Sequence, residues 1–106
     1  MVSDHMIKMD RLREFYNIDF DGKVYFFLFD HQYLYDILFE AIPYIKKYYP
    51  NRSKCVLYFD SFFNALTVRI YTPMSLDDAE REMFKFDREW FNGVIPRCKS
   101  KLCITC

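Results

Sequence analysis

Cys98, Cys103 and Cys106 stand in a C-x4-C-x2-C spacing. Thiolates so arranged form the ligand run of plant-type iron–sulfur clusters, and Cys55 is a nominal fourth ligand. Such ligands sit on loops that let backbone amides approach the sulfides. Here Cys103 and Cys106 fall in a β-branched run, LCITC, whose side chains alternate between two faces. Only Gly22 and Gly93 could give close backbone approach. Irregularly spaced cysteines in a chain long enough to fold without staples read as reduced thiols. The expectation is therefore no metal, no cofactor and no disulfide.

A second constellation is acidic. Asp30 and Asp60 close two strand-like runs, His31 follows Asp30, and Asn64 opens the next run. Two carboxylates and an imidazole at one sheet rim would make an acid–base or metal site. Capping and turn chemistry accounts for the same residue types: Asp30 as an N-cap, Asp60 and Asn64 shaping a turn, His31 facing solvent. His5, the only other histidine, is expected in a mobile N-terminus.

Aromatic residues are the third. At 21% of the chain they exceed what one small core encloses, so some must line a surface or an interface. Tyr25, Phe27, Phe29 and Tyr71 are expected on one sheet face beside Arg69, with Tyr58 as a further polar handle. RNA-recognition modules stack bases at such positions. Against that stand the missing glycine-bearing signature and a neutral balance of fifteen basic and fifteen acidic residues, which leaves Lys23, Arg52, Lys54 and Arg69 as isolated attractants. No nucleophile elbow, Walker loop or dinucleotide fingerprint occurs.

These residues need elements to hold them. Ser3 to Tyr16 places Met6, Met9, Leu12, Phe15 and Tyr16 at helical spacing, with Ser3 or Asp4 as cap. Asn17 to Gly22 collects turn residues, and Lys23 to Phe29 (KVYFFLF) reads as a strand covered on both faces. Leu34, Ile37, Leu38, Ala41, Ile42 and Ile45 form the best-patterned helix; Pro43 predicts a kink near Phe39 or a break. Cys55–Phe59 and Ala65–Tyr71 read as a hairpin, with Leu66, Val68 and Ile70 facing the core. Ser75 caps a helix whose buried stripe is Leu76, Ala79, Met83, Phe86 and Trp90. Asp77–Arg81 and Lys85–Glu89 would pair on its wet side, and Gly93 would end it. An irregular linker, Val94 to Lys101, leads to a last strand, Leu102 to Cys106.

The order of elements resembles the ferredoxin-like βαββαβ sandwich over residues 23–106: an antiparallel four-stranded sheet in the order 4-1-3-2, two helices on one face, and an additional N-terminal helix. Right-handed crossovers with both long helices on one face give that order. The chain reads as one domain, with 1–20 as N-terminal helix and linker and 21–106 as the core. The absence of a run approaching ~18 apolar residues, and of a signal-peptide pattern at the start, predicts a cytoplasmic protein with no membrane partner. The functional expectation is a non-catalytic interaction or regulatory module that homodimerises through sheet-face and N-terminal-helix aromatics. A small-molecule or enzymatic pocket between that face and the N-terminal helix is the alternative, and RNA binding the third. The core should contain Leu38, Ala41, Ile45, Leu57, Val68, Ile70, Met83 and Phe86.

Overall fold

The computed structural model describes residues 4–19 and 21–106. The chain runs α1 (Asp4–Arg13), β1 (Tyr16–Ile18), α2 (Asp21–Asp30), α3 (Tyr33–Tyr48), β2 (Lys54–Asp60), β3 (Ala65–Tyr71), α4 (Leu76–Phe86), a π-helical turn (Asp87–Phe91), α5 (Asn92–Cys98) and β4 (Leu102–Thr105). Ser3, one of the two candidate caps of α1, lies outside the described residues.

The largest departure from expectation is KVYFFLF, which is the body of α2 and not a strand. Apolar residues occupy almost every position, so periods of 2 and 3.6 fit the run equally well. Tertiary packing decides. Val24, Phe27 and Leu28, at helical spacing, turn into the core, while Phe26 and Phe29 stay exposed. The strand beside β2 is instead Tyr16–Asn17–Ile18, inside the segment expected to end the first helix and begin a turn. Tyr16 is buried and its hydroxyl donates to the Leu38 carbonyl at 2.6 Å, tying β1 to α3.

The hairpin forms as expected, with Leu57 opposite Val68 and Tyr58 opposite Thr67. Asp60 Oδ1 accepts from the amides of Phe62 (2.9 Å) and Phe63 (3.4 Å), and Asn64 takes the left-handed conformation at φ 51°. This is the Asx-turn chemistry of a tight connection.

The sheet order is β1-β2-β3-β4; β1 is parallel to β2, β2 antiparallel to β3, and β3 parallel to β4. The sheet is thus α+β and mixed, with two of its three pairings parallel, and not the antiparallel 4-1-3-2 sheet of a ferredoxin-like sandwich. Once the first expected strand becomes a helix, nothing remains to lie between β3 and β4. Tyr16, Cys55, Leu57, Leu66, Val68, Ile70, Leu102 and Ile104 share one face and one core cluster with residues of all five helices. Parallel neighbours on each side of a hairpin, with every described helix on one face, force the two crossovers to have opposite hands. One of them is therefore of the rare left-handed kind.

Helix α3 is continuous through Pro43. Asp30 ends α2 and does not cap α3; Gln32 precedes α3 and makes no side-chain cap. Ser75 does cap α4, accepting from the Asp78 amide. Leu76 is exposed and Met83 half-buried, so the stripe of α4 is narrower than expected, while the other seven expected core residues are buried. The ion pairs of α4 are Arg81–Asp78 and Lys85–Glu82 at i, i+3, and Glu89 pairs with Lys47 across to α3.

Neither Gly93 nor Pro96 stops the chain from coiling: both lie inside α5, which replaces the expected linker. The π turn makes this possible. Buried residues fall at Phe86, Phe91, Val94 and Cys98, steps of five, three and four, and the five-residue step is the π period that keeps the later residues aimed at the core. The helix ends instead at Lys99 and Ser100, both at positive φ.

Asp87 opens the π turn. Its Oδ1 is buried without a hydrogen-bond partner, and burial raises its pKa above the ordinary 3.8. The folded state therefore holds this proton more tightly than the unfolded chain. The stability contributed by the protonated form is complete below the usual aspartate range and is lost as pH rises through the raised value. Asp87→Asn should accordingly melt higher than wild type at neutral pH, with the gap closing in acid. A gap independent of pH in thermal melts would refute this assignment.

Candidate functional site

The face of the sheet turned away from the helices is bare among the described residues. It carries Asn17 of β1, Lys54, Val56, Tyr58 and Asp60 of β2, Ala65, Thr67, Arg69 and Tyr71 of β3, and Cys103 and Thr105 of β4. Strand alternation and register place them together. Lys54 lies opposite Tyr71, Val56 opposite Arg69 and Asp60 opposite Ala65, while Thr67 stands between Tyr58 and Cys103.

A hollow of about 350 Å³ opens on this face, lined chiefly by Tyr58, Phe63, Thr67, Arg69, Leu102 and Cys103. Its floor is Ala65, 6% exposed, and Thr67, 7% exposed, although no helix covers them. Arg69 makes no ion pair among the described residues. The thiol of Cys103 is held above its ordinary pKa, chiefly by partial desolvation and then by Asp87 and Asp60, against the lowering effect of Arg69.

Tyr58, Arg69 and Tyr71 meet on this face as expected. Tyr25, Phe27 and Phe29 do not: they belong to α2, on the helical side. Phe27 is in the core and 5.4 Å ring to ring from Phe59, Phe29 is exposed, and Tyr25 packs 4.2 Å from His5. Helix α1 packs on β1 and α3, so it forms no wall over the open face.

The rim constellation disperses. Asp30 lines a hollow with Phe26, Phe27 and Phe59 on the helical side, whereas Asp60 lines the open-face hollow. His31 is half-buried, its ring stacked on Phe27 at 4.1 Å; its Nδ1 is 2.8 Å from the Phe27 carbonyl, which can only accept, so that nitrogen carries the hydrogen. His5 is not in a mobile arm. It is 5% exposed, with Nε2 3.1 Å from the Tyr25 carbonyl and Nδ1 2.6 Å from the Tyr35 hydroxyl.

The cysteines divide: Cys55 and Cys98 are buried, Cys103 is exposed and Cys106 half-exposed. Burial pushes the Cys55 thiol up to about 11. Among the described residues no three His, Cys, Asp or Glu groups converge on a point that could hold a metal ion. No described helix is long and apolar enough to cross a membrane.

Sequence reasoning missed Val56, Phe63 and Ala65, placed Thr67 only as part of a semi-polar strand face, and weighed Cys103 only as a metal ligand. The signal was present: once Leu66, Val68 and Ile70 are assigned to the core, alternation sends Ala65, Thr67, Arg69 and Tyr71 to the other face. No protein-family model, curated protein sequence or solved structure matches the chain.

Proposed function

We propose that this protein is a non-catalytic interaction module that self-associates through the open face of its sheet. The observation that carries this reading is the bare face itself. Sheets built wholly of parallel pairs are covered on both faces by their crossovers, whereas a mixed sheet such as this one can leave a face free for a partner. Here both crossovers lie on one side, and the other carries exposed Phe63 and Tyr71 with half-buried Val56 and Tyr58 around a nearly buried floor. The hydroxyl of Thr67 and the thiol of Cys103 have no histidine near them to act as base, since His5 and His31 are both engaged on the helical side.

The hollow and its unpaired Arg69 favour a second reading, a small anionic ligand held among rings. The two differ in what they do to mass. Light scattering over a dilution series should give a dimer that dissociates on dilution. Tyr58→Asp puts a carboxylate into the centre of the face, beside Asp19 in register, and should raise the dissociation constant roughly tenfold or more. Phe26→Asp, on the exposed side of α2, should leave it unchanged. A wild-type monomer at every concentration would remove the self-association reading, and loss of the dimer in the α2 variant alone would move the interface to the helices.

A further inference from the structure

The open face has two unlike ends. At one end Tyr71 stands 56% exposed opposite Lys54, with Arg69 next along the same strand. At the other end, small residues, Ala65 and Thr67, floor the hollow of about 350 Å³, and Asp60 lies opposite Ala65. Asp19 follows β1 on the hollow half, its amide donating to the Leu57 carbonyl. Lys54, Arg69 and Asp19 make no ion pair among the described residues. Asp60 uses Oδ1 for its turn and leaves its second oxygen free. Beyond Arg69, which borders the hollow on the side toward Tyr71, the cation near this end is Lys101, and its Nζ is taken up 3.4 Å from the Asn64 carbonyl.

A projecting ring with cations at one end and a hollow with carboxylates at the other make a surface complementary to itself. We propose that two copies pack open face to open face about a twofold axis running across the strands, so that Tyr71 of each copy enters the hollow of the other and Lys54 of each meets Asp60 of the other. This rests on the self-association reading above and adds the identity and orientation of the occupant.

Rotation about such an axis lays each strand antiparallel over its own copy. Tyr71 then falls over Ala65, Lys54 over Asp60, Arg69 over Thr67 and Val56 over Tyr58. The alternative axis, along the strands, sets hollow on hollow and brings both copies' Lys54 and Arg69 to the same end, where like charges repel. Either axis gives a closed twofold pair in which each contact occurs twice; only the first sets ring against hollow and Lys54 against Asp60. Facing sheets lie ~10 Å apart, a gap that a projecting tyrosine spans. A buried aromatic in a pocket is the usual anchor of an interface.

Sedimentation of the 106-residue chain tests the arrangement. Tyr71→Ala should raise the dimer dissociation constant at least about tenfold. Lys54→Glu should weaken it in the same direction. Asp60→Asn keeps an acceptor for the turn while removing the charge, and should also weaken the dimer. High salt should weaken the wild type more than Asp60→Asn, because the screened pair is already absent in the variant. A dimer broken by Tyr58→Asp yet indifferent to Tyr71→Ala, or equally salt-dependent with and without the Asp60 charge, would overturn this orientation and leave the docking face standing. A wild-type monomer throughout would overturn both.

Discussion

Phe86→Ala should lower the free energy of unfolding by about 3–5 kcal/mol, the range for removing a fully buried aromatic side chain. Phe86 is wholly inaccessible. Its ring stands edge-on to Trp90 at 5.5 Å and 6.2 Å from Phe91, at the junction where α4 passes into the π turn. The cavity cannot easily collapse, because the π turn fixes the register of Phe91, Val94 and Cys98 behind it. Small domains are stable by only about 5–15 kcal/mol, so the loss should be plain as an early denaturant midpoint with an unchanged slope. A cost under about 1 kcal/mol would mean that the core stops short of this junction and that the irregular turn packs against nothing.

Much of this frame was readable in the residues. The hairpin, the cap at Ser75, helix α3 and the final strand all rest on local signals: period-2 alternation, an oxygen side chain before an acidic first turn, and i, i+3, i+4 spacing. Lys23–Phe29 failed for a reason equally physical. A run apolar on every side records burial and not period, and only its neighbours decide which dihedrals it adopts. That one substitution of helix for strand changed the sheet order and removed Tyr25, Phe27 and Phe29 from the open face. Tyr16–Ile18, three residues long, is too short to declare a period at all. Gly93 and Pro96 misled because terminators weigh a few kcal/mol at most, whereas the apolar steps through Phe91, Val94 and Cys98 bury three side chains. The open face was half legible: Tyr58, Arg69 and Tyr71 follow from alternation, but the depth over Ala65 and Thr67 depends on how Tyr58 and Phe63 stand around them.

His5 marks the other limit, since a polar residue near a terminus carries no signal of its partners. Its ring lies 4.2 Å from that of Tyr25 and 5.4 Å from those of Phe29 and Tyr35, and its nitrogens bridge α2 and α3. The Tyr25 carbonyl can only accept, so Nε2 carries the hydrogen; in the neutral ring Nδ1 then accepts from Tyr35. Tyr35 is fully buried, and burial, ahead of the nearby Tyr25, holds its hydroxyl far above the ordinary phenolic range, so that it stays a neutral donor. His5→Ala should therefore cost about 2–4 kcal/mol, one part for the space vacated and one for a buried hydroxyl left with only the His5 backbone carbonyl at 3.4 Å. His5→Phe refills the space and should recover part of the loss. The sharper measurement is the pair: in a Tyr35→Phe background no hydroxyl is stranded, so His5→Ala should cost less there than in wild type. Equal costs in both backgrounds would mean that the short contact between Nδ1 and Tyr35 contributes nothing, and that Met9 and Leu12 alone dock α1.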